Sequence, residues 1–323
     1  MSSTHSSPSE PGQPAVPPRA VSLIGAPTDA GAGVPGCRMG PEALRVAGLQ
    51  RALQRFGCDV ADRGDILGPV AFPDAPRVGG YRNADEITQW CHLVGERIRA
   101  ELLQGRLPIL MGGDHSLAIG SISAVAAHCR SQGKTLRVLW FDAHADFNTA
   151  ATSPTGNLHG MPLSVLCGLG PDALVGMSGQ VPALSHTQVR QIGVRSVDPV
   201  EKQLLRSKQI VVHDMRYVDE VGMREVMTLA LADVTPDTHL HVSFDVDCLD
   251  PVDAPGVGTP VRGGPSYREA QLCMEMIADT GALSSLDIME LNPALDTRNQ
   301  SAELCVDLVE SLFGKSTLLR WHR

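Results

Sequence analysis

Apolar residues fall along the chain in short unbroken runs, separated by longer stretches where they recur at helical spacing. Unbroken apolar runs bounded by Gly, Pro or Asp suit strands buried on both faces, whereas recurrence at i, i+3, i+4 and i+7 marks a helix with one buried face. Strands are accordingly predicted at residues 20–25, 58–61, 107–111, 138–141, 188–193, 209–212, 239–244 and 284–289. Helices are predicted at about 41–56, 84–104, 117–130, 199–206, 219–233, 267–279 and 302–313. Pro41 beside Glu42 suits a first helical turn. Ser266 followed by Glu269 reads as a capping box for the helix from Tyr267. Residues 26–40 and 69–80, rich in glycine and proline, are loops. Eight strands alternating with helices predict an α/β fold with a doubly wound, mostly parallel sheet.

Neither a repeat nor a linker interrupts this alternation, so residues 20–323 are expected to form one domain. Residues 1–19 are rich in Ser and Pro and lack both an apolar core and an amphipathic basic pattern. They are expected to be a disordered tail without chemistry. The 323 residues are 43% hydrophobic and 20% charged, which suits a globular enzyme with a sizeable core. No apolar run approaches the ~18 residues of a spanning helix, so no membrane role is expected. The net charge of −9, with no Lys/Arg cluster, argues against a nucleic-acid partner and suits a cationic small molecule. Cys37, Cys58, Cys91, Cys129, Cys167, Cys248, Cys273 and Cys305 form no CxxC pair, and most sit in apolar segments. Reduced core thiols and a cytoplasmic location are expected.

The candidate chemistry sits where predicted strands end, the usual place for it in α/β proteins. Asp142, His144 and Asp146 alternate directly after the apolar run ending at Phe141, so an extended chain aims all three one way. Asp245 and Asp247 repeat the pattern after Phe244, and His115 follows the glycines at 112 and 113. These six candidate ligands, four carboxylates and two imidazoles, favour manganese or a similar ion over structural zinc. Six ligands on one ion would leave no open position, so two ions sharing bridging carboxylates is the better count. Singly each residue also reads as an ordinary loop residue; the set of three compatible strand ends carries the inference.

Three segments, Gly112-Gly113-Asp114-His115-Ser116, Asp142-Ala143-His144-Ala145-Asp146 and Ser243-Phe244-Asp245-Val246-Asp247-Cys248-Leu249-Asp250-Pro251, resemble the signature motifs of the ureohydrolases, the arginase and agmatinase family. The likeness runs from about Val21 to Leu319. It implies a three-layer α/β/α sandwich around a parallel eight-stranded sheet. It further implies one manganese on His115, Asp142, Asp146 and Asp245, and a second on Asp142, His144, Asp245 and Asp247. Residues 147–149 and 155–162 resemble the arginase branch, in which the positions of Asn148, Thr155 and Asn157 meet the α-carboxylate of an amino acid. Asp198 stands where the α-ammonium is met, with Glu201 assisting through water, and Glu290 where the guanidinium is held. On the residues alone, Asn148 and Asn157 read also as turn formers, Asp198 as a helix N-cap and Glu290 as a paired buried carboxylate.

The resemblance implies an arginase activity, in which a hydroxide bridging two manganese ions converts L-arginine to L-ornithine and urea. Asp146 would pass the proton to the leaving amine, His159 would exchange protons with solvent, and Thr259 would line the pocket. Agmatine or guanidinobutyrate is the alternative substrate; a catalytically silent binding protein is the reading from another class. Two departures bear on substrate choice: Val34-Pro35 stands where family members often carry arginine, and Cys248 where arginases commonly carry glycine. Tyr267-Arg268-Glu269 resembles a segment arginases use between subunits, implying a homo-trimer or homo-hexamer, and reads equally as a solvated helix start.

Overall fold

The computed structural model describes residues 19–70 and 75–317; apart from Arg19, the predicted tail lies outside the described residues. The described residues hold eight strands: β1 Ala20–Gly25, β2 Asp59–Asp65, β3 Leu107–Met111, β4 Thr135–Phe141, β5 Val189–Val194, β6 Val212–Asp214, β7 Thr238–Asp245 and β8 Leu283–Met289. They form one sheet in the order β2-β1-β3-β8-β7-β4-β5-β6, and every pairing is parallel. The α-helices are α1 Gly40–Val46, α2 Leu49–Arg55, α3 Ala84–Leu103, α4 Ala118–Gln132, α5 Pro162–Leu166, α6 Asp172–Val175, α7 Pro199–Ser207, α8 Met215–Val221, α9 Met223–Leu231, α10 Tyr267–Thr280 and α11 Gln300–Leu312. Among the described residues no helix is long and apolar enough to cross a membrane, and all eight cysteines are free.

Alternation along the strands divides the core in two. Leu139 and Phe141 of β4, with Val242 and Phe244 of β7, pack with residues of α1, α2 and α8–α11. Leu136, Val138 and Trp140 of β4 instead pack with α3, α4, α5 and α7. The central strands are therefore buried along nearly their whole length, as a sheet covered on both faces requires. The three-layer expectation holds.

The boundaries differ where glycine or a positive φ intervenes. The predicted helix 41–56 is two helices, because Gly48 adopts φ 88°, in the left-handed region that no helix interior can hold. The helix predicted at 219–233 likewise divides at Gly222, φ 85°, and begins earlier, at Met215, where Asp214 caps it by accepting from the Tyr217 N–H. The strand predicted at 209–212 starts only at Val212, since Gln209 at φ 56° closes α7. The short α5 and α6 lie in a stretch with no legible period.

Register brings the chemistry together. Seven consecutive residue pairs align β4 with β7, from Thr135↔Thr238 to Phe141↔Phe244, so the following Asp142 and Asp245 emerge side by side. Asp245 in turn aligns with Met289 of β8, next to Glu290. Met111 of β3 aligns with Ile288, which sets residues 112–115 against the same edge.

Candidate metal centre and substrate cavity

Three of the six expected ligands, Asp142, Asp245 and Asp247, are held from behind by backbone N–H groups just past the ends of β4 and β7. Asp142 Oδ1 accepts from the His144 N–H (2.7 Å), Asp245 Oδ1 from the Asp247 N–H (2.8 Å), and Asp247 Oδ1 from the Ala143 N–H (3.1 Å). The opposite oxygens, and Asp142 Oδ1 as well, face the imidazoles. His115 Nδ1 lies 3.0 Å from Asp245 Oδ2, 3.2 Å from Asp146 Oδ2 and 3.3 Å from Asp142 Oδ2. His144 Nδ1 lies 3.1 Å from Asp247 Oδ2 and 3.4 Å from Asp142 Oδ1. Two ligand clusters result, His115–Asp142–Asp245 and Asp142–His144–Asp247, each with its ligand atoms within 4.8 Å of one another and sharing Asp142.

Burial makes this arrangement electrostatically unbalanced. Burial, then the neighbouring Asp142, raises the Asp146 carboxyl well above the usual range; burial and Asp247 do the same to Asp245. Burial also works against charge on the imidazoles, yet the surrounding aspartates override it, holding His115 up at about 9 and His144 at about 12. A field that retains ring protons this strongly is one that draws in divalent cations, which would displace them. Asp146 Oδ2 is buried without a hydrogen-bond partner. Asp146 also adopts φ 51°, a strained conformation for an aspartate. An orphaned carboxylate oxygen 3.2 Å from the His115 imidazole suits a cation held between them, and the oxygen-rich donor set fits a hard-to-borderline metal.

A cavity of about 170 Å³ opens onto this cluster, lined by His144, Asp146, Asn148, His159, Asp198, Glu201, Asp245, Asp247, Thr259 and Glu290, together with Gly160 and Ser196. Glu290, left-handed at φ 63°, accepts through Oε1 from the His115 N–H (2.9 Å) and faces His159 Nδ1 at 3.0 Å. Burial opposes its ionisation, but His159 and these hydrogen bonds hold the carboxyl below the usual glutamate range, so a charge is ready for a cation. Asn148 Nδ2 donates to Asp198 Oδ2 (3.1 Å), and Thr259 Oγ1 donates to Asp247 Oδ2 (2.8 Å). Asp198 is the N-cap of α7, its N–H donating to Glu201 Oε2 (3.2 Å), and it also lines the cavity. Glu201 is pinned on its other oxygen by the Phe147 N–H (2.8 Å).

Thr155 and Asn157 do not line this cavity. They sit in the loop beyond Asn148, Thr155 exposed and its hydroxyl accepting from the Asn157 N–H (3.2 Å). Neither departure reaches the cavity: Cys248 is buried with Sγ toward Ile192 O (3.7 Å), and Pro35 O accepts from Asn292 Nδ2 (3.1 Å). Sequence reading missed Ser196, which carried no motif signal of its own. It also missed Trp140, whose indole stacks on His115 (4.3 Å, 13°) and donates to Asp142 Oδ2 (3.0 Å). Arg195 was missed too; it donates to the Asp247, Cys248 and Leu249 carbonyls and ties down the loop bearing two ligands.

Comparison with known proteins agrees with this geometry. The arginase of Bacillus caldovelox is 42% identical over 302 residues, spanning 92% of this chain and 99% of that protein. The arginase of Brevibacillus brevis is 41% identical over 300 residues, with 92% and 99% covered. The solved native structure of the B. caldovelox arginase superposes with a TM-score of 0.86 at 40% identity, covering 93% of this chain and all of that one. Residues 19–314 match the arginase family, and the chain is a member of it.

Proposed function

We propose that this protein is an arginase, hydrolysing L-arginine to L-ornithine and urea, with residues 20–323 as its catalytic domain. Two manganese ions would be held by His115, Asp142, Asp146 and Asp245 and by Asp142, His144, Asp245 and Asp247. When bound, two such cations supply a hydroxide nucleophile near neutral pH and charge for the developing tetrahedral centre. The observation that carries the reading is one small cavity that places an ionised Glu290 across from the ligand cluster and the Asn148–Asp198 pair at its wall.

The remaining steps fall to the chain's own groups. Glu290 accepts the guanidinium, which is always charged and fork-shaped, and so fixes its carbon over the cluster. Asp146, whose Oδ2 makes no hydrogen bond, accepts the hydroxyl proton brought in by the nucleophile and passes it to the departing amine as the tetrahedral centre collapses. His159, raised by Glu290 against the lowering effect of burial, carries protons between the cavity and solvent. Asp198 receives the α-ammonium, with Glu201 behind it. Asn148, Thr155 and Asn157 receive the α-carboxylate, the latter two from the loop beyond the cavity wall, and Thr259 steadies Asp247.

The deciding experiment is a urea-release assay of manganese-loaded protein on arginine, agmatine and 4-guanidinobutyrate, run on wild type and Asp198→Ala. Strong preference for arginine is expected. Asp198→Ala should lower kcat/KM for arginine by about 30- to 100-fold, the loss of one charge-assisted bond. Equal cleavage of agmatine by wild type would replace arginine as the substrate. We further place the enzyme in the cytoplasm as a homo-trimer or homo-hexamer assembled through residues 267–269, where the Arg268 side chain is 63% exposed. Sedimentation of wild type and Arg268→Ala tests the assembly.

A further inference from the structure

The loop that runs from Asn148 to His159 carries two of the three residues assigned to the α-carboxylate, yet neither Thr155 nor Asn157 is held by the cavity itself. Besides its own internal bonds, this loop is held by a distant turn. Arg77 donates from Nη2 to the carbonyls of Ala150 (2.8 Å) and Ser153 (3.2 Å) and from Nη1 to that of Pro154 (3.4 Å). Its Nε donates to Gly80 O (3.0 Å), closing the guanidinium onto its own turn. That turn is itself stiff, because Val78 and Tyr81 exchange backbone hydrogen bonds of 2.8 and 2.9 Å. The Arg82 N–H adds a bond to Gly156 O (2.9 Å).

The two segments also approach too closely for side chains at the contact. Gly80, at φ 95°, would bring a Cβ within 2.5 Å of Ala150 Cβ. Gly156, at φ 78°, would bring one within 2.9 Å of Gly80 O. A planar fork of five fixed N–H donors can span several carbonyls at once, which an ammonium cannot. Beneath the clamp, Thr152 Oγ1 donates to Asn148 Oδ1 (2.8 Å), so order in the loop is passed to the residue that pairs with Asp198.

We propose that Arg77 is a positioning residue for substrate selection: it clamps residues 149–157 in the conformation that meets the α-carboxylate, before substrate arrives. Affinity gained this way comes from ordering entropy not lost on binding. The inference rests on the arginine reading above, and it makes Arg77 matter only for substrates bearing that carboxylate.

The test compares manganese-loaded wild type, Arg77→Ala and Arg77→Lys on arginine and on agmatine, which keeps the amine but lacks the carboxylate. Where agmatine turnover is too slow, its inhibition constant against arginine serves. Arg77→Ala should raise KM for arginine about 10- to 30-fold, the loss of one or two net hydrogen bonds. Its kcat should stay within about twofold and agmatine should be unaffected, as expected for lost uniform binding. Arg77→Lys should do no better, and amide exchange across 149–157 should quicken in both variants. Equal losses on both substrates would reduce Arg77 to a general structural role, and restoration of KM by lysine would assign the effect to charge; either overturns the clamp, as does an unchanged KM. If wild type itself fails to prefer arginine, the arginine reading falls instead, while unchanged exchange in 149–157 marks failure of the clamp separately.

Discussion

Two buried carboxylates at opposite ends of the sheet behave in opposite ways. Glu101 of α3 lies near the amino ends of β1 and β3, where its Oε2 accepts from Ser22 Oγ (2.6 Å) and Arg63 Nη2 (3.0 Å) and faces Arg106 Nε at 3.8 Å. Burial opposes its charge, but Ser22 and Arg63 hold its carboxyl below the usual range. Asp146 at the carboxyl ends has an Oδ2 without a hydrogen bond, two neighbouring carboxylates, Asp142 and Asp245, and a carboxyl raised well above the usual range by burial and Asp142. A charge matched within the protein is structural; a charge left unmatched in a cavity marks where an external cation belongs.

The contrast breaks most completely at Asp142, the ligand shared by both clusters. Asp142→Asn should lower turnover by on the order of 10³-fold, the loss of more than one supporting interaction at the centre. Elemental analysis should show manganese below two ions per chain. Turnover near wild type at saturating manganese would mean the bridge is misassigned. A smaller effect is expected at His159, which faces Glu290 and no ligand carboxylate. His159→Ala should keep its metal and lose about 10²-fold in kcat, a general acid–base loss that added imidazole restores in part. Loss of metal from this variant would place His159 among the ligands.

The smallest effect is on stability, and its sign differs between the two regions. Glu101 has a lowered folded pKa, so its contribution is present above the unfolded value of about 4.3 and is lost as pH falls through the folded one. Asp146 has a raised folded pKa, so in chelator-stripped protein the native state holds a proton that the unfolded chain has released. Stability then declines as pH rises from about 4 through that raised value. Between pH 5 and 8 the melting temperature of stripped protein should therefore fall relative to manganese-loaded protein, and Asp146→Asn should flatten the trend. Glu101→Gln should cost about 1–3 kcal/mol at pH 7 with or without manganese, shrinking below pH 4. A manganese-dependent Glu101→Gln effect would erase the distinction.

The candidate ligands at the strand ends were legible because their information is local. Asp142, His144 and Asp146 lie within five residues, directly after a run whose apolarity announces a buried strand, and the same holds for Asp245 and Asp247. The helix ends at Gly48 and Gly222 were not, since glycine is tolerated inside helices and only the realised φ of 88° or 85° shows that these two break them. The cavity wall was legible at Asn148, Asp198, Thr259 and Glu290, and not at Ser196, which has no distinguishing chemistry until the fold sets it beside His144.

Sequence by itself determined the eight-strand α/β alternation and located the six candidate ligands at strand ends, because strand period, turn chemistry and ligand spacing act over a few residues. Only the tertiary structure decided which of these groups meet. The alignment of β4, β7 and β8 placed three strand ends level, the stacking of Trp140 on His115 oriented a ligand, and Arg77 reached across 73 residues to Ala150. The reason is that a guanidinium or an indole can bond almost any carbonyl or ring, so its partner is chosen by chain topology and packing, which no local pattern records.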